Sequence, residues 1–431
     1  MTEHQVRVAL VLAAGRGLRM RSQHPKPLHR VGGVSLLERC TRVLRKAAVE
    51  RIVVVVGHEA DQVRAAIEKR HLPVEVVVNP DWESGSASSV LAGLGVIDDR
   101  RCLVVPADHI FEADDVRRLI HTPAGNVAAV DRSGQPAVAL SPTRPNRVQL
   151  RSDGSVACLG PELIEYDGVD AGLSVVDVQD VLSVTYRPRK SWLELRQQML
   201  AHGCHVQSEE VHGLWADVDT PETARALERS LWRRHGPRPT DGVIARVVNR
   251  RISGPLTRLL LHTRITPDVA TALAFLVTLV AAGLVATGDT WLMVAGGLGV
   301  ILGSALDGVD GELARITVSA SRHGATLDTL LHRYADLAVV LALVLAADAT
   351  RTAWPWGFAA AAGSLLVSYI HAVGRDTDVR LVFRREFRLL ILAVGAIAGF
   401  PLWGLAVVAV AANLDAVRGV VQLLRVLRDR E

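Results

Sequence analysis

The stretch Val6–Met20 reads VRVALVLAAGRGLRM. It begins with an apolar run of strand length, Val6–Leu12, and continues into a glycine-rich turn. A helical pattern follows at Ser35–Ala48, and strand and helix patterns then alternate to about residue 130. Continuous apolar strands that alternate with amphipathic helices are typical of a parallel sheet covered on both faces. We therefore expect a doubly wound α/β domain at the N-terminal end of the chain.

The second half of the chain has a different composition. The chain has 431 residues and a formal net charge of +4, but from about Ile265 it consists mostly of Ala, Val, Leu and Gly with few charges. A helix needs about 20 apolar residues to cross a bilayer. The apolar segments lie at residues 268–287, 290–306, 325–347, 354–373, 387–398 and 402–424. This pattern predicts an all-α domain of six transmembrane helices.

These patterns divide the chain into three regions. We expect a soluble domain over residues 1–232, a linker with an interfacial segment over 233–264 and a transmembrane domain over 265–431. In Asp241–His262 arginines stand between apolar residues at helical spacing, which favours a helix on an anionic membrane surface; a plain surface helix is the alternative. Arginines beside hydrophobic spans indicate lipid headgroups and phosphate substrates as partners, not nucleic acid.

Cysteine usage and the N-terminal residues bear on localisation. The four cysteines form no CxxC pair, and all fall in the first half of the chain, which fits a reducing compartment. No signal peptide is visible before the first strand pattern. We expect a multi-pass protein of the cell membrane with a cytoplasmic N-terminal domain.

The glycine-rich turn has the features of a phosphate-binding loop. A turn between a strand and a helix lets backbone N–H groups approach phosphate oxygens, and Arg19 and Lys26 add positive charge around a triphosphate. Asp108 in Val105–His109 follows a strand pattern, at the edge where open α/β sheets bind ligands. A tight turn without a ligand is the alternative for the glycines, and a helix N-cap or surface charge for the aspartate.

The combination LAAGRGLRM, Pro25–Leu28 (PKPL) and the helix after it resembles the nucleotidyltransferase family, which joins sugar or polyol phosphates to nucleoside triphosphates. The resemblance covers roughly residues 6–230 and implies a Rossmann-like domain that needs Mg²⁺. The nucleotide-binding residues it implies are Leu12, Ala13, Ala14, Gly15, Gly17, Lys26, Asn79 and Ser88. It gives Lys26 and Arg19 catalytic roles, and it gives Asp108 and Asp219 the metal, with Asp217 as the rival of Asp219.

The acceptor side departs from the family pattern. Tyr166–Val175 (YDGVDAGLSV) resembles the acceptor strand of the family, so Asp170 and Gly172 are candidate substrate contacts. Relatives often carry a lysine just before this strand, whereas Leu159-Gly160-Pro161-Glu162 stands there in this chain. We expect the acceptor phosphate to be held differently, by Arg144 or Arg147.

The membrane half contains a second group of carboxylates. Asp307–Arg315 reads DGVDGELAR, and Gly324–Asp336 reads GATLDTLLHRYAD. Several carboxylates at membrane depth are costly unless they share a cation or line a wet cavity. Oxygen ligands favour Mg²⁺, Mn²⁺ or Ca²⁺. Helix-end charges at the membrane interface are the alternative.

This pair of motifs resembles the CDP-alcohol phosphotransferase signature, D-x-x-D-G-x-x-A-R followed by G-x-x-x-D-x-x-x-D, over roughly residues 241–424. The resemblance implies metal ligands at Asp307, Asp310, Asp328 and His332, with catalytic roles for the last two, and nucleotide contacts at Gly308, Gly311, Ala314 and Arg315. His332 stands where the family has an aspartate, so Mn²⁺ is an option at this site beside Mg²⁺. Acceptor contacts are expected in the basic segment Arg375–Arg388, at Arg375, Arg380 and Arg384.

Together the two halves resemble inositol-1-phosphate cytidylyltransferases fused to di-myo-inositol-phosphate phosphate synthases. The resemblance implies that a CDP-alcohol is made from CTP and a polyol phosphate, and that its phospho-alcohol then passes to a hydroxyl acceptor with release of CMP. Inositol phosphate is the expected polyol and acceptor, and a homodimer is expected. One alternative is a phospholipid headgroup synthase. The other is a membrane-tethered nucleotide-binding module in which one or both domains are degenerate.

Overall fold

The computed structural model describes residues 5–22, 24–133, 145–184, 190–236, 250–263, 265–348, 351–374, 377, 379 and 381–428. The chain separates into two compact units, Met1–Arg233 and Arg234–Glu431. Each unit has its own buried apolar core.

The first unit is an α/β domain. Its strands are β1 (Val8–Ala13), β2 (Arg30–Val31), β3 (Val34–Ser35), β4 (Arg51–Val56), β5 (Glu75–Val78), β6 (Arg101–Pro106), β7 (His109–Ile110), β8 (Asn126–Asp131), β9 (Arg147–Leu150), β10 (Val156–Gly160), β11 (Gly168–Asp177), β12 (Val206–Glu210) and β13 (Ala216–Asp217). Its helices are α1 (Leu36–Lys46), α2 (Ala60–Lys69), α3 (Ser86–Leu94), α4 (Ala113–His121), α5 (Val178–Ser183), α6 (Trp192–Ala201) and α7 (Pro221–His235).

The main sheet is parallel at its centre and antiparallel beyond it. Strand β1 pairs in parallel with β4 and β6, and β4 pairs in parallel with β5. The parallel centre confirms the expectation drawn from the apolar strands. Strand β11, however, pairs antiparallel with β6, β8 and β9, so the sheet as a whole is mixed.

The sheet brings distant residues to one edge. Strands β1 and β6 are parallel neighbours, so the turn after β1 and Asp108 after β6 lie at the same end of the sheet. The short strand β13 pairs with β7, in a register that places Asp217 opposite His109. The backbone N–H of Val218 donates to the backbone carbonyl oxygen of Asp108, with 3.1 Å between nitrogen and oxygen. Asp217 is therefore carried to Asp108 by strand pairing.

The second unit is helical. Its helices are α8 (Arg250–Leu261), α9 (Pro267–Ala286), α10 (Thr290–Ile316), α11 (Arg322–Ala346), α12 (Ala353–Val373), α13 (Arg385–Ile397) and α14 (Pro401–Arg428). Among the described residues, five helices are long and apolar enough to cross a membrane: α9, α10, α11, α12 and α14. The N-terminal part of the expected interfacial segment, residues 241–249, lies outside the described residues.

The predicted span at residues 387–398 corresponds to α13. This helix has 13 residues and so extends about 20 Å, which makes it the shortest of the helices at the predicted spans. It begins at Arg385, where charged side chains pair with carboxylates of α10 and α11, and it ends before Gly399, whose φ is +75°. The apolar pattern therefore predicted this helix to within two residues of its observed bounds.

Candidate active sites

The glycine-rich turn and Lys26 form one wall of a cavity of about 650 Å³ in the first unit. Gly17 has a φ of +63°, and a Cβ on it would lie 2.5 Å from the Cβ of Lys26, so the turn needs glycine here. The predicted residues that line this cavity are Leu12, Ala13, Ala14, Gly15, Gly17, Arg19, Lys26, Asp108, Asp217 and Asp219.

Two predicted nucleotide contacts lie behind the cavity wall. Asn79 is buried and donates from Nδ2 to the hydroxyl oxygens of Ser88 and Ser89, at 2.9 and 3.0 Å. Ser86 and Ser89 line the cavity in their place. Asn79 and Ser88 thus stabilise the first turn of α3. The motif alone does not tell such a supporting role from direct contact with the nucleotide.

Lys26 is held between two carboxylates. Its Nζ donates to Asp108 Oδ2 and to Asp219 Oδ1, the latter at 2.5 Å, while Arg19 Nη2 lies 2.7 Å from Asp219 Oδ2. Burial alone would lower the pKa of Lys26, but the charges of Asp108 and Asp219 outweigh it and raise that pKa above its usual value. Burial likewise opposes ionisation of Asp108, yet Lys26 keeps the pKa of that carboxyl well below its usual range. The site therefore holds a permanent ammonium beside the ionised carboxylate of Asp108.

His109 and Asp217 complete a second group around Asp108. His109 Nδ1 lies 2.9 Å from Asp108 Oδ1, and the ligand atoms of Asp108, His109 and Asp217 all lie within 4.8 Å of one another. Asp217 Oδ1 is buried without a hydrogen-bond partner among the described residues. Burial would lower the pKa of His109, but Asp217 and the hydrogen bond to Asp108 raise it to about 9. Burial raises the pKa of Asp217 to about 6. Sequence reasoning missed His109, although it directly follows Asp108.

The acceptor strand β11 is arranged differently from the expectation. Asp170 is buried in an ion pair with Arg196, whose Nη1 and Nη2 donate to Oδ1 at 3.0 Å and to Oδ2 at 2.5 Å. Gly172 has a φ of +85° and lies directly against the ring of His109. Gly172 therefore lies against His109, which lines the cavity, while Arg196 pairs with Asp170. Nothing in the motif signalled Arg196, which follows 26 residues later.

Of the two arginines expected to hold the acceptor phosphate, Arg144 lies outside the described residues. Arg147 donates from Nη1 to the backbone oxygen of Leu163 at 2.6 Å, and its guanidinium carbon lies 4.7 Å from the ring centroid of Tyr166. Arg147 is therefore already engaged by the segment that precedes β11.

The membrane unit has a carboxylate–histidine cluster of its own. Ligand atoms of Asp307, Asp328 and His332 lie within 4.8 Å of one another, on α10 and α11. His332 Nε2 lies against Asp307 Oδ1 and 2.9 Å from Asp328 Oδ1. Asp310 is turned to other partners: Thr271 on α9 donates to its Oδ2, and the Gly311 backbone N–H donates to its Oδ1 at 2.5 Å. The remaining predicted nucleotide contacts, Gly308, Gly311, Ala314 and Arg315, follow on the same helix α10.

An arginine group on α11 and α13 borders this cluster. Arg385 donates from Nη1 to Asp307 Oδ2 and from Nε to Asp336 Oδ1, both at 2.8 Å. Arg333 and Arg388 lie 3.6 and 3.7 Å from Asp336 Oδ2. Of the predicted acceptor contacts, Arg384 precedes α13 as its N-cap residue, and Arg375 and Arg380 lie outside the described residues. The basic segment had indicated the region but not Arg385 itself.

The helix that carries Asp307 is also tied to α8. Glu312 is fully buried and accepts hydrogen bonds from Ser253 Oγ at 3.2 Å and from Thr257 Oγ1 at 2.7 Å. A buried carboxylate is stabilised when such donors satisfy it. We infer that α8 packs in a defined register on α10 next to the cluster.

Known proteins resemble this chain over its N-terminal domain and over nearly its whole length. Residues 9–164 match the family model of the MobA-like NTP transferase domain. The bifunctional IPC transferase and DIPP synthase of Rubrobacter xylanophilus is 40% identical, over 97% of this chain and 96% of its own length. The protein of that name from Aquifex aeolicus is 30% identical, over 96% and 97%. A solved structure of the inositol-1-phosphate CTP transferase from T. maritima is 21% identical, with a TM-score of 0.47, over 52% of this chain and 96% of that one.

Proposed function

This chain belongs to the family of bifunctional IPC transferases and DIPP synthases, and from that premise we propose that it catalyses two consecutive transfers. The first unit makes CDP-inositol from CTP and inositol phosphate. The second unit transfers the phosphoinositol group to a hydroxyl of a second inositol phosphate and releases CMP. The observation that carries this proposal is that each unit has its own carboxylate–histidine cluster.

The first transfer needs no protein nucleophile. A phosphate oxygen of the acceptor attacks the α-phosphorus of CTP, that bond forms, and the bond to the pyrophosphate oxygen breaks. Lys26 and Arg19 line the same cavity as the glycine-rich turn, so ammonium, guanidinium and backbone N–H groups can surround the triphosphate. Alignment of the two substrates supplies much of the remaining acceleration.

We propose that Asp108 and Asp217 hold the divalent ion of this site. The support is the unpartnered Oδ1 of Asp217, whereas both oxygens of Asp219 face cations, Lys26 and Arg19. An ion bound there supplies positive charge to the phosphates of CTP. Asp219 then positions Lys26. The motif had favoured Asp219 as the metal ligand, but these contacts favour Asp217 instead.

Matched amide variants separate these two aspartates. Asp217→Asn should lower cytidylyl transfer by about 10²-fold and raise the Mg²⁺ concentration needed for half-maximal rate, because it removes a ligand charge. Asp219→Asn should lower the rate but leave the Mg²⁺ requirement unchanged, because it only releases Lys26. Rates measured across a Mg²⁺ titration give both values. An unchanged metal requirement in Asp217→Asn, with a raised one in Asp219→Asn, would reverse the assignment.

In the second transfer an acceptor hydroxyl attacks the phosphorus that carries the inositol, and the bond to the CMP oxygen breaks. We propose that Asp307, Asp328 and His332 hold the divalent metal there, which supplies charge to the pyrophosphate group. The hydroxyl proton passes to the second carboxylate oxygen of Asp328, because an imidazole that binds the metal through its unprotonated nitrogen has no lone pair left for it. Arg385 and Arg333 form the cationic wall for the acceptor phosphate, together with the basic segment that includes Arg384, while the buried Arg388 supports Asp336 behind it.

The function is tested with CTP, Mg²⁺ and a panel of polyol phosphates, followed by mass analysis of aqueous and lipid extracts. We expect pyrophosphate release and CDP-polyol formation to be fastest with inositol phosphate, followed by a water-soluble phosphodiester and CMP. A product in the lipid extract would indicate a phospholipid headgroup synthase. Nucleotide binding without pyrophosphate release would indicate a degenerate module.

We propose that the metal cluster of the second unit faces the cytoplasm, in a multi-pass protein of the cell membrane that forms a homodimer. Positive residues favour the inside. The arginines at the cluster end of the helices are Arg315, Arg322, Arg384, Arg385, Arg425 and Arg428. At the opposite helix ends, exposed tryptophans suit the outer lipid interface: Trp291, Trp354, Trp356 and Trp403. The homodimer rests on the resemblance to CDP-alcohol phosphotransferases.

Thiol labelling of intact cells tests this orientation. A cysteine at Asp348, after α11, should react with a membrane-impermeant maleimide, whereas one at Ala320, between α10 and α11, should react only after permeabilisation. The native cysteines serve as the internal control, since all four lie in the first unit. Labelling of Ala320→Cys but not Asp348→Cys in intact cells would invert the topology.

A further inference from the structure

We propose that His109 is a direct ligand of the metal ion in the cytidylyl site, so that the ion is held by two carboxylates and one imidazole. The inference deepens the proposed function and rests on it. It adds a nitrogen donor to a site that the motifs describe through aspartates alone.

The three donors converge from two strands. Asp108 and His109 follow β6 along the chain, and Asp217 is brought opposite His109 by the pairing of β13 with β7. Two ligands at right angles on an ion about 2.1 Å away lie about 3 Å apart. His109 Nδ1 and Asp108 Oδ1 are 2.9 Å apart, and all three donors lie within 4.8 Å of one another. This spacing fits one shared cation.

Lys26 and Arg19 contact carboxylate oxygens other than the proposed ligand atoms. Asp108 turns Oδ2 toward Lys26 and Oδ1 toward His109. Asp219 turns one oxygen to Lys26 and the other to Arg19. Asp217 Oδ1 is buried without a hydrogen-bond partner among the described residues. An ion on the Oδ1 side of Asp108 therefore satisfies Asp217 and does not compete with Lys26.

The imidazole is held in place by the acceptor strand. A Cβ on Gly172 would collide with both Cδ2 and Nε2 of His109, so this close packing requires glycine. The His109 side chain is 16% exposed. A ring confined in this way keeps Nδ1 directed at Asp108. A role in orienting Asp108 by a hydrogen bond alone is the competing explanation, and it predicts no bond between nitrogen and metal.

The donor set has a consequence for the choice of ion. Asp307, Asp328 and His332 form the same combination of two carboxylates and one imidazole in the second unit. Imidazole favours Mn²⁺ over Mg²⁺ relative to an all-oxygen site. Both transfers are therefore expected to prefer Mn²⁺ when the two ions compete at equal concentration.

Pulsed electron paramagnetic resonance of bound Mn²⁺ tests the nitrogen ligand directly. The sample is the full chain carrying His332→Asp, which removes the imidazole of the membrane cluster, loaded with Mn²⁺ and CTP. We expect nitrogen modulation in the echo decay, changed by ¹⁵N-histidine labelling of the protein. His109→Asn should remove the modulation and weaken Mn²⁺ binding by at least about 10-fold. Asp217→Asn should lose the bound ion at this site.

The outcomes distinguish failure of the His109 ligand from failure of the proposed function. A Mn²⁺ signal without nitrogen coupling, in protein that turns over CTP, overturns the inference and leaves the proposed function intact. Absence of Mn²⁺ binding and of CTP turnover overturns both. The ¹⁵N-labelled His332→Asp protein answers the question even if His109→Asn does not fold, because its spectrum needs no change at residue 109.

Discussion

Asp108→Ala is expected to reduce pyrophosphate release from CTP by at least about 10³-fold and to leave CMP release from supplied CDP-inositol unchanged. The variant removes the carboxylate that His109, Lys26 and the proposed ion share. The membrane cluster lies in a separate compact unit with its own core. The two rates are measured on one preparation, with CTP plus inositol phosphate in one assay and CDP-inositol plus inositol phosphate in the other.

The reciprocal variant completes the test. Asp328→Ala should abolish CMP release and preserve pyrophosphate release, because its carboxylate contacts His332 in the second unit. Asp114→Ala is the control in the first unit, since this side chain is 76% exposed and pairs only at the surface of α4. Loss of both activities in either well-folded variant would contradict independent sites.

Removal of the Arg385 guanidinium is expected to have the second-largest effect. Arg385→Met leaves Asp307 and Asp336 without the cation that bridges them. Breaking a largely buried ion pair on one side typically costs a few kcal/mol, because the remaining charge is uncompensated. We expect a lower thermal unfolding temperature in lipid nanodiscs and at least about 10²-fold slower phosphotransfer, with cytidylyl transfer unaffected.

Two companion variants separate stability from catalysis. Arg385→Lys keeps the charge but cannot donate along both directions, so it should recover part of the stability and little of the rate. Arg385→Met with Asp336→Leu removes both members of one pair and should recover stability, while phosphotransfer stays slow for lack of the cation. Full phosphotransfer activity in the double variant would show that Arg385 serves only the fold.

The parallel centre of the sheet was predictable, and its antiparallel part was not. Strands β1, β4, β5 and β6 are apolar on both faces and separated by amphipathic helices, a pattern that local periodicity encodes. The direction of β11 depends on β6, more than 60 residues earlier, and on β8 and β9. Likewise, hydropathy located α13, but its start is set by the pairing of Arg385 with Asp307 and Asp336.

The sequence by itself indicated the change from alternating strands and helices to apolar helices and the glycine-rich turn with Lys26, because periodicity along the chain encodes strands, turns and helices. The candidate carboxylates at 108, 217, 219, 307 and 328 followed from the motifs and from the families that these motifs resemble. Only the tertiary structure decided which of them share a site. Strand pairing of β13 with β7 carries Asp217 to His109, while Asp219 meets Lys26. Similarly, His332 and Asp336 lie one turn apart on α11, yet His332 meets Asp307 while Arg385 engages Asp336. The interaction energy of two charged side chains depends on the distance between them in space. Packing between residues far apart in the chain sets that distance.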